Sequence, residues 1–302
     1  MHGIKGNAPW KGLNTHHFMK RKQNSFSILL TCLILVVGVA GINYLWACGD
    51  RKALQSAEVK NAMGSGVPRE AAKGYERPAP LGRGREMMLE KSQFVISYHV
   101  QYLCPNYVCW RLSSERVNGK VQRSNNFHGD LAMDEKVRVE TFDYNGSGYD
   151  RGHMCPAGDN KNSARAMDES FCMTNICPQN HQLNAGAWND LEQQCRSWAR
   201  NYGTLYICCG PIFGKEPRRV GQRKSMRIAV PDRFFKVLLS LGRVPKAIGF
   251  IYPNEACEGD MREYAVSVDE VEKVTGMDFF YQLDDQQEKE LEKVCDPSMW
   301  GI

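Results

Sequence analysis

The stretch "AGAWNDLEQQCRSWARNYG" constrains this chain most, because it sets Trp188, Leu191, Cys195, Trp198 and Tyr202 at three- and four-residue steps. At 3.6 residues per turn these side chains share one helical face, and an apolar stripe of that size must bury against something. The surrounding sequence offers strands. "SQFVISYHVQYL" and "YVCWRLS" alternate well enough to pair, with a turn expected around Pro105 and Asn106, and "TLYICCG", "FFKVLLSL" and "KAIGFIYP" read as three more strands. A second helix is predicted over "DDQQEKELEKV". Strands mixed with a few helices, without regular βαβ alternation, predict an α+β domain with a central, mainly antiparallel sheet flanked by helices.

The first 90 residues follow other rules. From Ser25 to Cys48 the chain carries no charge, which is enough to span a bilayer or to serve as an export signal. "MKRK", Met19 to Lys22, stands just ahead of this run, as a basic cluster does at the head of an export signal. Translation is therefore expected to start at Met19, with residues 1–18 an extension ahead of the true start. "LWACGD" resembles a lipoprotein cleavage site with Cys48 as the lipidated residue, although Trp46 departs from the small residue such sites carry. An uncleaved anchor helix over 19–48 is the alternative. Residues 49–88, rich in Gly, Pro, Ala and mixed charge, read as a flexible linker, and residues 89–302 as the domain. The expected location is the envelope of a bacterial cell, periplasmic or at the surface, attached to the membrane through the N-terminal segment.

With 42% apolar and 24% charged residues, the chain can bury one good-sized core. Its net charge of +5 permits a polyanionic partner without requiring one. Ten of the 12 cysteines lie beyond the uncharged run, and in an exported domain an even number favours disulfides. The equal spacing of Cys104 with Cys109 and of Cys172 with Cys177 also leaves a zinc site open.

The chemistry concentrates in three segments. "DRGH" runs from Asp150 to His153, "FCMTNICPQN" from Phe171 to Asn180, and "LNAGAWNDLEQQCR" from Leu183 to Arg196. Taken singly, each has an unremarkable reading: a surface histidine, an N-cap asparagine at position 184, and an i,i+4 ion pair between Glu192 and Arg196. Together and in this order they resemble the DNA/RNA non-specific endonucleases, within the ββα-metal nucleases. The likeness extends through "RSNNFHGDL", "CGPIF", "VPDRFFKVLL" and "VSVDEVEKVTGMDFF", which look like strand segments of that fold, and spans roughly residues 93–295.

That resemblance implies a division of labour. His153, whose neutral imidazole is available near neutral pH, is the general base that takes a proton from water, and Arg151 offers a permanent cation to phosphate oxygens. Asn184 holds one magnesium ion directly, with manganese as a substitute, and Glu192 reaches that ion through a water. Arg196 helps balance metal and phosphate, Asn175 orients the loop or contacts phosphate, and Arg123 is a further phosphate contact. A bridge from Cys155 to Cys172 or Cys177 is expected to brace the loop. The basic run "GKEPRRVGQRKSMR" adds Arg218, Arg219, Arg223 and Lys224 as phosphate grips or, equally, as a solvated hairpin. No recognition helix, RNA-binding aromatic signature or zinc-finger spacing suggests sequence readout, so DNA and RNA are both expected substrates, cut to 5′-phosphate products. A catalytically silent nucleic-acid-binding or uptake protein of the same fold is the alternative, a disulfide-rich adhesion domain a remoter one. An inhibitor protein is a further expected partner of the nuclease, because an unguarded nuclease would harm its own cell if misrouted.

Overall fold

The computed structural model describes residues 74–82 and 86–302. The expected start at Met19, the 19–48 segment with Cys48, and the linker as far as residue 73 lie outside the described residues. Seven strands pair in the order β1 (Glu86–Glu90), β2 (Val95–His99), β3 (Cys104–Leu112), β6 (Leu205–Ile212), β9 (Arg233–Ser240), β10 (Lys246–Pro253) and β11 (Ala265–Val266), every neighbour antiparallel. Two short antiparallel pairs stand apart, β4 (Asp150–His153) with β5 (Ile176–Gln179), and β7 (Arg219–Val220) with β8 (Ile228–Ala229).

The period of two along each strand divides the core between the faces of the large sheet. Phe234 and Leu238 of β9 join one cluster with Trp110, Ile207 and Phe250, while Phe235, Val237 and Leu239 join another with Tyr107, Cys208 and Ala247. Because both faces are covered, β6 is buried along its whole length, which explains why "LYICCGPI" reads as a continuous apolar run. Helices α1 (Ser114–Val117), α2 (Ala164–Ser170) and α3 (His181–Ala185) are short, and α4 (Ala187–Tyr202) is the predicted striped helix. Its Trp188, Leu191, Cys195 and Trp198 are fully buried in the first cluster, each large apolar side chain contributing roughly 1.5–3 kcal/mol. On the opposite face lie α5 (Val268–Thr275) and α6 (Asp285–Glu292), through Val268, Val271 and the Phe279 and Phe280 rings between them.

Several expectations change. The turn between β2 and β3 occupies residues 100–103, with Leu103 at φ 56°, and Pro105 and Asn106 sit inside β3. Pro105 is tolerated there beside a register shift between Ser97 and Tyr98. The domain begins before residue 89: Tyr75 is buried against Tyr206, and β1 starts at Glu86, because Pro- and Gly-rich sequence still contributes single large apolar anchors. Of the segments taken as strands by resemblance, "VSVDEVEKVTG" is largely α5, capped by Ser267 and ended by Gly276 in the left-handed region, and "RSNNFHGDL" contributes only a bridge from His128 to Cys172.

No disulfide forms among the described residues. Ten cysteines are free and eight of them are buried, Cys155, Cys172 and Cys177 included. They behave as small core residues: the Cys155 sulfur accepts from Asn160 at 3.4 Å, and the Cys209 thiol donates to the Met154 carbonyl at 3.2 Å. Burial pushes the Cys155, Cys172 and Cys195 thiols up to about 12, so these are neutral thiols, and among the described residues no three cysteine, histidine or acidic side chains that include a cysteine come together as a zinc site would need. No helix of the described residues is long and apolar enough to cross a membrane.

Candidate active site

The β4–β5 pair carries the DRGH sequence and sets Gly152 opposite Cys177 and His153 opposite Ile176. Gly152 is obligatory for packing reasons: a Cβ there would stand 2.2 Å from Oε1 and 2.5 Å from Cβ of Gln179. The close approach delivers His153 to a wall of rings, 5.2 Å from Phe127 and edge-on to Phe171 at 4.9 Å between centroids. His153 is 7% exposed, and its Nε2 is buried without a hydrogen-bond partner. Burial, with a smaller push from the Arg123 cation, lowers its pKa to about 3. The imidazole is thus neutral throughout the physiological range.

Downstream of β5 the chain turns through α3 into α4. Asn180 caps α3, its Oδ1 accepting from the amides of Gln182 and Leu183. Asn184, placed by the unremarkable reading as a cap, is instead inside α3, and its Nδ2 donates to Asp150 Oδ2 at 2.9 Å. The same carboxylate oxygen lies 2.9 Å from His181 Nδ1. Anchoring the amide nitrogen on Asp150 turns the Asn184 carbonyl oxygen to the other side, the orientation a hard-metal ligand needs.

Glu192 lies in the second turn of α4. Burial raises its pKa to about 7, against the pull of Lys236 first and Arg196 second. Lys236 is 1% exposed beneath it on β9, its Nζ 4.5 Å from the Trp188 ring centroid and 5.5 Å from that of Trp110. Arg196 sits 3.9 Å from Glu192 Oε2 but donates at 3.1 Å to Asp159 Oδ1, so the predicted i,i+4 pair is the weaker of its two contacts. Asp159, 1% exposed, also accepts from Trp110 Nε1.

Arg123, Arg151, His153, Pro156, Ala157, Asn184, Ala185, Asn189 and Glu192 line one cavity of about 360 Å³. Five residues singled out from sequence therefore meet in one place. Arg151 lies with its guanidinium carbon 5.2 Å from the Phe127 centroid, and Arg123 rests over Phe171 at 5.1 Å. Two permanent cations, a neutral imidazole and amide and carboxylate oxygens face the same space. This set suits an anionic phosphodiester, and its oxygen donors suit a magnesium-type ion held mostly by water.

The other predicted residues fall elsewhere. Asn175 is fully buried and its side chain saturated: it accepts from the Cys155 amide and donates to the Cys155 and Ser170 carbonyls. It braces the loop after His153 and has no group left for phosphate. Arg196 lines an adjoining pocket with Arg123, Lys161 and Arg200. Arg223 is committed to Asp143 and the Arg138 carbonyl, and Arg219 to the carbonyls of Gln101 and Arg227, so neither is a free phosphate grip. Arg218 sits over Tyr149 at 5.6 Å, next to the DRGH strand, and Lys224 is exposed and does not line the cavity. Sequence reasoning gave no role to Asp150, Asp159 or Asn189. Asp150 and Asp159 were visible as acids inside a Gly- and Pro-rich loop, and Asn189 as a polar residue three before Glu192 on the same helical face.

Residues 72–286 match the family model described as DNA/RNA non-specific endonuclease. The chain is 34% identical over 215 residues to "Nuclease EXOG, mitochondrial" of Xenopus laevis, covering 67% of this chain and 60% of that protein. It is 32% identical over 235 residues to "Endonuclease G, mitochondrial" of Bos taurus, covering 73% and 76%, and 31% identical over 221 residues to "Nuclease" of Nostoc sp., covering 69% and 78%. The match spans about three fifths of the length of the EXOG relatives. A solved structure of an EndoG/EndoGI complex aligns with a TM-score of 0.65 at 27% identity, over 74% of this chain and 96% of that one.

Proposed function

We propose, from the premise that this chain belongs to the DNA/RNA non-specific endonuclease family and has its ββα-metal nuclease fold, that it hydrolyses phosphodiester bonds in DNA and RNA without reading sequence. The observation that carries this reading is the cavity in which Arg123, Arg151, His153, Asn184 and Glu192 converge.

A phosphodiester entering the cavity is held between Arg151 and Arg123, whose fixed charges meet the charge that develops on the phosphoryl oxygens. His153 accepts a proton from the attacking water. A pKa near 3, set first by burial and second by Arg123, makes a weak base; a bound phosphate anion offsets the Arg123 charge and raises the value. Asn175 keeps the His153 loop in place from behind, and Asp150 keeps the Asn184 amide turned. Asn184 would hold a magnesium or manganese ion directly, with Glu192 reaching it through water. Such an ion supplies Lewis-acid stabilisation of the departing 3′ oxygen, consistent with 5′-phosphate products. Lys236 and Arg196 favour the ionised form of Glu192 that this role requires.

Two further readings belong with this one. The uncharged run from Ser25 to Cys48 delivers the domain to the outer side of a bacterial membrane, as a lipoprotein through Cys48 or as an uncleaved anchor. An inhibitor protein that guards the host cell is a fitting partner; the aligned EndoG structure is itself an inhibitor complex.

The test incubates the full chain and a His153→Ala variant with supercoiled plasmid and with RNA, in magnesium, manganese or chelator. Metal-dependent cutting of both substrates, lost in the variant, is expected. Cutting without metal or without His153 sinks the mechanism, and tight binding without cutting moves the protein to the silent class.

A further inference from the structure

Across the sheet from the cleft, three carboxylates converge from two helices. Asp269 and Glu272 stand one turn apart on α5, Glu292 is the last residue of α6, and one oxygen from each lies within 4.8 Å of the others. Among the described residues this is the one such group of three acidic, histidine or cysteine side chains. Clusters of acids are common on exposed helices, and this one differs in its inner member. Glu292 is 5% exposed, and its Oε1 is buried with no hydrogen-bond partner. After burial, the charged groups that act most strongly on it, Glu272, Glu288, Asp269 and Asp278, are all acidic.

A carboxylate taken out of water without a donor is one of the more expensive things a fold can contain, and further carboxylates close by make it worse. Without a cation the group keeps a proton, since burial and then the neighbouring acids push Glu292 up to about 9; a cation that replaced this proton would give the carboxylates the positive partner they lack. The Phe279 amide donates to Glu272 Oε1 at 2.7 Å and leaves Glu292 Oε1 without a partner. The open side of the group, where Asp269 is exposed, leaves room for water in a coordination shell.

We propose that Asp269, Glu272 and Glu292 form a structural divalent-cation site of calcium type that ties α5 to α6. The donors are all carboxylate oxygens, which select a hard cation over zinc or copper. Calcium accepts six to eight oxygens in loose geometry and takes up water to complete the set, whereas magnesium demands a tight octahedron that three side chains on two helices meet less well. The site rests on none of the residues in the cleft.

The experiment follows thermal unfolding of the full chain in chelator and in millimolar calcium chloride, with calcium titration calorimetry alongside. Four proteins are compared: wild type, Asn184→Ala to remove any contribution from the cleft, Glu292→Gln, and the Asp269→Asn/Glu272→Gln double variant. Wild type and Asn184→Ala should both gain roughly 5–10 °C in Tm once calcium exceeds its Kd about a hundredfold. Both cluster variants should lose the gain, and Glu292→Gln should be at least as stable as wild type in chelator, because it keeps the side chain's shape and removes a buried, unpartnered acid among other acids rather than a needed contact. The proposal is overturned by a wild type that calcium does not stabilise, by a gain that disappears in Asn184→Ala, or by cluster variants that keep it.

Discussion

Replacing Asn175 by Ala removes three hydrogen bonds from the floor of the cleft at once. Oδ1 accepts from the Cys155 amide at 2.9 Å, and Nδ2 donates to the carbonyls of Cys155 and Ser170, both at 2.8 Å. The residue is 0% exposed, so water does not take over. Stranding the Cys155 amide costs about 1–3 kcal/mol, and the two carbonyls add less, since an acceptor tolerates a missing partner better than a donor does. A total of roughly 3 kcal/mol, at ~2–4 °C per kcal/mol for a unit of this size, lowers Tm by about 6–12 °C. Cys155 is two residues beyond His153, and Asn175 grips it by both amide and carbonyl, so the imidazole loses its fixed position. A displacement on the order of 1 Å lowers kcat up to ~100-fold. KM for plasmid should stay within about twofold of wild type, because no phosphate reaches Asn175. Asn175→Asp keeps the acceptor for the Cys155 amide but points a carboxylate at two carbonyls, and should rescue nothing. Differential scanning calorimetry and steady-state plasmid cleavage on the full chain decide the matter. A raised KM with kcat intact would return Asn175 to the substrate, and a Tm loss below about 2 °C would refute the accounting.

Three other outcomes follow from the geometry. His153 titrates near 3 in the fold against an ordinary value of about 6.5, so between those values the unfolded chain alone takes up the proton. Stability should therefore fall with a slope approaching ~1.4 kcal/mol per unit as pH drops from about 6.5 towards 3, and the urea midpoint of His153→Ala should lack that component. Asp150→Ala frees the Asn184 amide, and the magnesium concentration for half-maximal activity should rise ~10–100-fold with little change in Tm; an unchanged requirement would remove Asp150 from the metal-positioning role. Gly152→Ala drives a methyl into Gln179, with an expected loss of about 1–3 kcal/mol by urea unfolding and a larger loss of activity, whereas a variant as stable as wild type would show that β4 and β5 separate easily.

What was legible in the sequence was what repeats locally. The α4 stripe, the strand alternation of β2 and β3, the apolar runs of β6, β9 and β10 and the ordered motifs all report on neighbours within a turn or a strand. The α5 helix was also legible in its own terms, with Ser267 ahead of an acidic first turn and Gly276 behind, but resemblance to strand segments overrode those signals. What stayed hidden depends on distant pairing. Arg223 looked like a phosphate grip because nothing nearby says that Asp143, 80 residues earlier, will hold it. Cysteine parity suggested bridges, yet a sheet covered on both faces needs small apolar residues on every strand, and free thiols serve. The roles of Asp150 and Asn175 are likewise invisible in spacing, since both act by holding residues that arrive later or earlier in the chain.

The free thiols also bear on how such a fold is taken apart and rebuilt. A chain stapled by bridges cannot be drawn through a narrow channel as a single thread, whereas this folded unit, uncrosslinked among its described residues, can be unravelled and re-formed without an oxidant. The cleft draws on residues from Arg123 to Glu192 on separate elements, so an unfolded chain carries no assembled site. The site therefore exists only in the folded unit.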